Sequence, residues 1–182
     1  MSEKYHIKVK KENLNLSKKI SINNNKDLLE DIKTLNYQSA HDILKVAVFF
    51  DNHFAIDSIL NHHKISYYFS GFELIKYSIL KENHYILNKI INDKKFIKYN
   101  NTMSVKTYFD ELSINKNIKT YDIIFSSIKY KEELIIEIFN KSIINNNIIL
   151  FKYLLENFDF LSNQDDCFNL LENASINIIQ EF

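Results

Sequence analysis

The stretch His41-Asp-Ile-Leu-Lys-Val-Ala47 decides the fold, because its pattern recurs three more times along the chain. Each copy has an apolar pair at its third and fourth positions and a small residue three positions after the pair. The other copies are Phe72-Glu-Leu-Ile-Lys-Tyr-Ser78, Ile136-Glu-Ile-Phe-Asn-Lys-Ser142 and Phe168-Asn-Leu-Leu-Glu-Asn-Ala174. The small residues are 31, 64 and 32 positions apart, and the middle distance is twice 32. This self-similarity indicates a repeat array.

A polar turn and a second apolar stripe follow three of the four copies, those that begin at His41, Phe72 and Ile136. Asp51-Asn52-His53-Phe54 corresponds to Glu82-Asn83-His84-Tyr85, and Asn146-Asn147 has the same phase. The stripes that follow have offsets of three and four residues, which place their side chains on one helical face. The stripes are Ile56, Ile59, Leu60; Leu87, Ile90, Ile91; and Phe151, Leu154, Leu155. The unit is therefore predicted to be helix, turn, helix, with Asn or Asp either left-handed or capping the second helix.

The remaining segments fit this array less regularly. We predict a cap helix at 26–36 and repeats at about 41–71, 72–103, 104–135, 136–167 and, in part, 168–182. The copy at 104–135 is divergent, because Lys106 and Thr107 occupy the places of the apolar pair. Its own stripe is Val105, Tyr108, Phe109 and Leu112, followed by Ile123, Ile124 and Ile128. Residues 1–25 alternate weakly in hydropathy, so we expect an extended or partly ordered basic arm.

Composition supports an all-α protein. The chain of 182 residues is 46% hydrophobic and has one Gly and no Pro. A large β-sandwich or barrel usually recruits both residues in its tight turns, and nucleotide-binding loops need several glycines. Because one helix pair is too small to bury its own apolar faces, the pairs must stack. The predicted fold is an α-solenoid.

The chain resembles the ankyrin-repeat family in this respect. Ser142-Ile-Ile-Asn-Asn-Asn-Ile-Ile-Leu-Phe-Lys-Tyr-Leu-Leu155 is similar to the degenerate ankyrin repeats of protists and giant DNA viruses. The family's Thr-Pro-Leu-His start is absent from every copy, and Asp, Glu or Asn replaces its turn glycine. Gly71 lies seven residues before Ser78, where the ankyrin pattern has its hairpin glycine. The resemblance therefore implies that the chain turns at Gly71.

The charges limit the classes of partner. Lys+Arg and Asp+Glu both number 23, and every basic residue is Lys. Nucleic-acid binding is disfavoured, because there is no guanidinium for bidentate readout and no net positive charge. Residues 1–19 carry six Lys and two acids, whereas residues 156–182 carry six acids and no Lys. An end-to-end contact between copies is therefore the alternative to a solvated surface at both ends. The many Ile, Asn and Lys residues indicate an AT-rich genome, such as that of a virus or protist.

Nothing in the sequence indicates an exported or membrane protein. Its single Cys, Cys167, cannot form an internal disulfide, and neither a signal peptide nor a membrane-length apolar run is present. We expect a cytoplasmic location, in the host cytoplasm if the chain is viral.

No catalytic or metal site is predicted, and no cofactor is expected. His53 and His84 share a repeat phase, but zinc needs more converging ligands. Cys167 has no nearby base in the sequence, and acidic pairs such as Asp165-Asp166 or Glu132-Glu133 are typical of charged surface. We therefore expect a protein that is not an enzyme.

The predicted function is a protein–protein interaction module. The ankyrin resemblance implies that a partner docks on the hairpin tips and the exposed side of each first helix, on the concave face of the stack. The candidate binding residues are Phe49, Phe50, Tyr68, Phe69, Phe72, Leu80, Lys81, Ile144 and Asn145. The aromatic cluster of Tyr67, Tyr68, Phe69 and Phe72 is expected on the neighbouring hairpin. Burial of the apolar ones inside the stack is the competing interpretation. The alternative function is a structural, self-assembling protein in which the basic arm of one copy meets the acidic end of another.

Overall fold

The computed structural model describes residues 9–65, 67–94, 108–127 and 132–159, apart from the side chains of 67–70 and 127. Within these ranges all regular structure is helical, which confirms the all-α class for this part of the chain. A 3₁₀ turn at Lys11–Asn13 precedes the α-helices. These are α1 (Leu14–Ser21), α2 (Leu28–Lys33), α3 (Tyr37–Phe49), α4 (His53–His62), α5 (Tyr67–Leu80), α6 (His84–Ile91), α7 (Phe109–Ile114), α8 (Ile118–Ser127), α9 (Glu132–Ile144) and α10 (Ile148–Asn157).

The chain divides into two compact units, Met1–Ile86 and Leu87–Phe182. In the first unit, α3 contacts α1 and α5, while α4 contacts both α2 and α3. First helices of successive pairs therefore lie on one another, and so do second helices. The second unit follows the same order, because α9 contacts α7, α10 contacts α8, and α9 packs against α10.

The predicted apolar pairs form the buried faces of these helices. Ile43, Leu74 and Ile138, with the residue that follows each of them, are all fully buried. Burying each such side chain stabilises the fold by about 1.5–3 kcal/mol. The small residues Ala47, Ser78 and Ser142 are likewise fully buried. These three residues keep the first helices narrow along the face on which neighbouring helices pack.

Two predicted features differ from the structure at the N-terminal end. Residues 14–21, expected to belong to an extended or partly ordered arm, form α1, because Leu16 and Ile20 are four residues apart and share one buried face. Their apparent alternation partners Leu14 and Ile22 are exposed. The predicted cap helix at 26–36 corresponds to α2, which is the second helix of a pair that begins with α1.

The expected turn at Gly71 is wrong, because Gly71 lies inside α5. Gly71, Leu74, Ile75 and Ser78 are all buried, at the i, i+3, i+4, i+7 spacing of a helical face. Gly71 also has the phase of Ala40, which lies 31 residues earlier and is fully buried in α3. It is thus a small residue on a packed helix face, and its helical cost of about 1 kcal/mol relative to Ala is offset by burial of the stripe.

The described part of the divergent copy includes α7 and α8. Tyr108, Phe109 and Leu112 of its predicted stripe are buried, as are Ile123 and Ile124 in α8. Val105, Ile128, Cys167 and the partial copy at 168–182 lie outside the described residues. First helices begin earlier than the predicted copies, at Tyr37, Tyr67 and Glu132.

Candidate functional site

Four of the turns that join a first helix to its second helix share one backbone geometry. Each has a non-glycine residue with positive φ: Asn23 at 52°, Asp51 at 53°, Glu82 at 52° and Asn146 at 51°. The N–H of this residue donates to the carbonyl three positions earlier, and the next N–H donates to the carbonyl five positions before it. This pattern is a Schellman motif, in which glycine usually supplies the left-handed residue. The prediction that Asp, Glu and Asn replace the turn glycine is confirmed at these positions.

An asparagine follows three of these left-handed residues and caps the second helix. The side-chain oxygens of Asn52, Asn83 and Asn147 accept from the backbone N–H three positions on, at 3.0, 3.1 and 3.1 Å. All three asparagines are buried. Such N-caps stabilise a helix by about 0.5–2 kcal/mol, so the predicted capping role is confirmed.

In the first unit, the amide nitrogens of these caps hold neighbouring turns together. Nδ2 of Asn52 donates to the Ile20 carbonyl and to Oδ1 of Asn25, both at 3.2 Å. Nδ2 of Asn83 donates to Oδ1 of Asp51 at 2.9 Å. One asparagine therefore fixes both its own helix start and the position of the preceding turn.

The second unit has a larger version of this arrangement. Nδ2 of Asn147 donates to the carbonyls of Ser113 and Asn115, at 2.9 and 2.5 Å, and to the Tyr121 hydroxyl at 3.1 Å. The Tyr121 hydroxyl in turn donates to the Asn115 carbonyl. Burial raises the pKa of Tyr121 to about 12, although the hydrogen bond from Asn147 opposes the shift. The turn between α7 and α8 is thereby tied to the turn between α9 and α10.

We call the surface around these turns the turn end. In the first unit it exposes large aromatic side chains: Phe50 is 42% exposed, Phe54 43% and Tyr85 46%. Phe54 and Tyr85 each lie two positions after a capping asparagine, so the repeat places them in the same phase. Phe50 immediately precedes the left-handed Asp51.

Of the other predicted binding residues at the turn end of the first unit, Phe49 and Leu80 are less accessible, whereas Lys81 is exposed. Phe49 is half-buried, with its ring 5.1 Å from that of Phe50 and 5.6 Å from that of Tyr77. The Lys81 ammonium lies 4.7 Å from the centre of the Phe49 ring, a cation–π contact between α3 and the residue after α5. Leu80 is also half-buried. Phe49 and Lys81 therefore join neighbouring pairs as well as lying at the turn end.

The predicted aromatic cluster of Tyr67, Tyr68, Phe69 and Phe72 is not on a hairpin. All four residues belong to α5 and lie toward its start, whereas the turn end follows its last residue, Leu80. Phe72 is half-buried, and the side chains of Tyr68 and Phe69 lie outside the described residues. The helix extends through Gly71, which is why these aromatics are not in a turn.

The turn end of the second unit exposes isoleucines. Ile144 is 79% exposed, and the neighbouring Asn145 donates to the Ser113 hydroxyl at 2.9 Å. Three further isoleucines, which the sequence analysis missed, are also exposed: Ile114 by 48%, Ile118 by 55% and Ile149 by 39%. Ile149 lies two positions after the capping Asn147, so the phase of Phe54 and Tyr85 could have identified it. Ile114 and Ile118 flank the irregular turn of the divergent copy, so the repeat phase could not identify them.

His41 and Lys45, two titratable groups of α3, form structural contacts. Nδ1 of His41 lies 3.1 Å from the Tyr37 carbonyl, and burial, with the charge of Lys45, lowers the pKa of His41. Lys45 bridges Asp42 at 3.5 Å and Glu73 at 2.6 Å. No group of three or more His, Cys, Asp or Glu side chains in the described part of the chain could hold a metal ion.

Comparison of the chain with protein-family models, with curated proteins and with solved structures found no match. Among the described helices, none is both long enough and apolar enough to cross a membrane.

Proposed function

We propose that the chain is a non-enzymatic interaction module that binds a partner protein at the turn end of its helix pairs. The observation that carries the proposal is the repeated exposure of large apolar side chains at this end. Phe50, Phe54 and Tyr85 are accessible there, while the apolar pairs one to two helical turns earlier in the first helices are fully buried. Exposed aromatic residues that recur in one phase are typical of a binding surface.

The backbone beneath these side chains supports the proposal. Asn52 and Asn83 each hold a helix start and the neighbouring turn, so the aromatic residues project from a fixed framework. A preorganised surface binds with a smaller entropic cost than a loop that must become ordered. The buried capping residues hold the backbone of the turns, and the accessible aromatic residues are the ones that contact the partner.

The proposed architecture is a solenoid that keeps the period and the helix–turn–helix unit of ankyrin-like repeats. First helices lie on first helices within each unit, and the equivalent turn residues Asp51 and Glu82 are 31 positions apart, although Asn23 and Asp51 are 28 apart. The ankyrin family itself is not part of the proposal, because the chain passes through Gly71 as a helix. Long first helices take the place of the hairpins.

A double substitution tests the proposed surface. Phe50→Ser with Phe54→Ser should abolish capture of the partner from a lysate of the source cell, because it removes two accessible aromatic rings from the turn end. The thermal midpoint should fall by only a few degrees, since both side chains are over two-fifths exposed. Phe49 is left intact, because it contacts Tyr77 and Lys81 and its removal would also loosen the packing.

Leu14→Ser is the matched control. Leu14 is an exposed apolar residue at the first position of α1, whereas the turn follows the other end of that helix. The same proteins should be captured by this variant and by the wild type. The turn end is not the binding surface if the double variant captures the partner as well as the wild type does. The same conclusion follows if the double variant and Leu14→Ser lose capture to the same extent.

A further inference from the structure

The turn end of the second unit combines exposed isoleucines with uncompensated positive charge. Ile114, Ile118, Ile144 and Ile149 lie on two turns that hydrogen bonds hold side by side, from Asn145 to the Ser113 hydroxyl and from Asn147 to the Ser113 and Asn115 carbonyls. Single exposed isoleucines are ordinary on protein surfaces, but four on adjoining turns need a separate explanation.

Two exposed lysines lie next to Ile114 and Ile118 along the chain. Lys116 and Lys119 are exposed, and neither forms an ion pair with another described residue. Asp110, the accessible acid of α7, is neutralised by Lys141 at 2.5 Å. Glu111 is buried, so its carboxylate is not presented to a ligand.

The acid closest to these lysines on α8 is the exposed Asp122, which adds one carboxylate to the same area. The carboxylate of Asp122 hydrogen-bonds with the Tyr153 hydroxyl, one turn beyond Ile118. Desolvation of Tyr153, followed by this contact with Asp122, raises the pKa of that tyrosine. The accessible edge of the turn end therefore presents two ammonium groups and one carboxylate next to an apolar area, an excess of positive charge.

We propose that this surface binds an acidic amphipathic segment of a partner protein. Apolar side chains of the segment cover the four isoleucines, while its carboxylates pair with Lys116 and Lys119. The inference rests on the proposed function and adds the chemistry of the partner at the second unit. A neutral apolar segment would leave both ammonium groups without carboxylate partners, whereas an acidic segment satisfies both features of the surface.

Two fluorescein-labelled synthetic peptides test the proposal with the full chain. Both carry the same helical leucine stripe, one with Glu and the other with Lys at the remaining positions. In fluorescence anisotropy titrations, we expect the Glu peptide to bind at least about tenfold more tightly in about 50 mM NaCl. Its affinity should fall in about 300 mM NaCl, because salt screens exposed charges. Equal affinity for the two peptides would overturn the proposal.

Variants assign the binding to this surface. Lys116→Glu with Lys119→Glu should weaken the Glu peptide by about tenfold or more and improve the Lys peptide. Lys26→Glu, at an exposed lysine of the first unit, is the matched control and should have less effect. Ile144→Ser should weaken the Glu peptide, whereas Leu14→Ser should not. Unchanged binding after either the lysine or the Ile144 substitution would overturn the assignment.

Membrane binding is distinguished by vesicles that contain phosphatidylserine. If Lys116→Glu with Lys119→Glu abolishes sedimentation with these vesicles while the Glu peptide does not bind, the surface recognises anionic lipid and the proposal fails. The proposed function has a separate test, which is capture of the partner by the Phe50→Ser, Phe54→Ser double variant. Loss of partner capture by that variant, together with failure of both peptides to bind, would overturn only the acidic-segment inference.

Discussion

At the scale of single residues, asparagine carries out several tasks that glycine, threonine or serine would share in other repeat proteins. Asn23 and Asn146 accept left-handed geometry, whereas Asn52, Asn83 and Asn147 cap helices. The amide side chain offers an acceptor for the cap and, on a separate atom, a donor for the neighbouring turn. This double use explains why a chain with one Gly and no Pro can still turn tightly.

Asn147→Asp separates the two tasks. The aspartate keeps an acceptor for the Leu150 N–H but loses the donor to the Ser113 and Asn115 carbonyls, and it places a carboxylate among buried acceptors. We expect a loss of about 3 kcal/mol or more in the free energy of unfolding, measured by urea denaturation.

Asn146→Asp is the matched control, because that residue is exposed and aspartate already occupies the same phase at Asp51. Its cost should stay within about 0.5 kcal/mol. Comparable losses in the two variants would mean that the donor bonds of Asn147 do not stabilise the fold.

At the scale of elements, the apolar pairs predicted the inner face of α3, α5 and α9, because periodicity directly reflects burial. The helix starts could not be predicted in the same way. The ankyrin resemblance implies a turn at Gly71, although the spacing of Gly71 to Leu74, Ile75 and Ser78 fits a helix. The exposed Ile114 and Ile118 belong to a turn that departs from the repeat, so no phase could locate them.

His41 makes the stability of α3 depend on pH. Its pKa is lowered by burial and by Lys45, and in the unfolded chain it returns to the ordinary value of 6.5. The folded state therefore binds fewer protons than the unfolded state just below pH 6.5. The stabilising contribution is complete above that pH and is lost as the pH falls toward the lowered pKa of the folded state.

Urea unfolding at about pH 7.5 and about pH 5.5 measures this effect. The wild type should lose more stability between the two values than His41→Gln does. His62→Gln is the matched control, because Nδ1 of His62 lies 2.8 Å from the Ser58 carbonyl in the same i−4 arrangement but on an exposed residue. If His62→Gln flattens the pH dependence as much as His41→Gln, burial of His41 is not its cause.

At the scale of the whole molecule, the chain has 23 lysines and 23 acids. Some of these charges are neutralised by ion pairs within one unit. Lys19 pairs with Asp31 within the first unit, and Lys141 pairs with Asp110 within the second. The sequence suggested a basic start and an acidic end that could join copies of the chain. Composition measured the uneven charge but could not show which lysines have intramolecular partners, since those pairs form between residues 12 to 31 positions apart.

The oligomeric state therefore distinguishes the interaction module from the self-assembling alternative. We expect a monomer of 21.7 kDa by sedimentation equilibrium, in about 50 mM and in about 500 mM NaCl, because local ion pairs already satisfy part of the charge. An assembly held by contacts between basic and acidic ends would dissociate as salt shortens the screening length. Oligomers at low salt that become monomers at high salt would favour self-assembly. A salt-independent dimer that Phe50→Ser with Phe54→Ser dissociates would instead identify the partner at the turn end as a second copy of this chain.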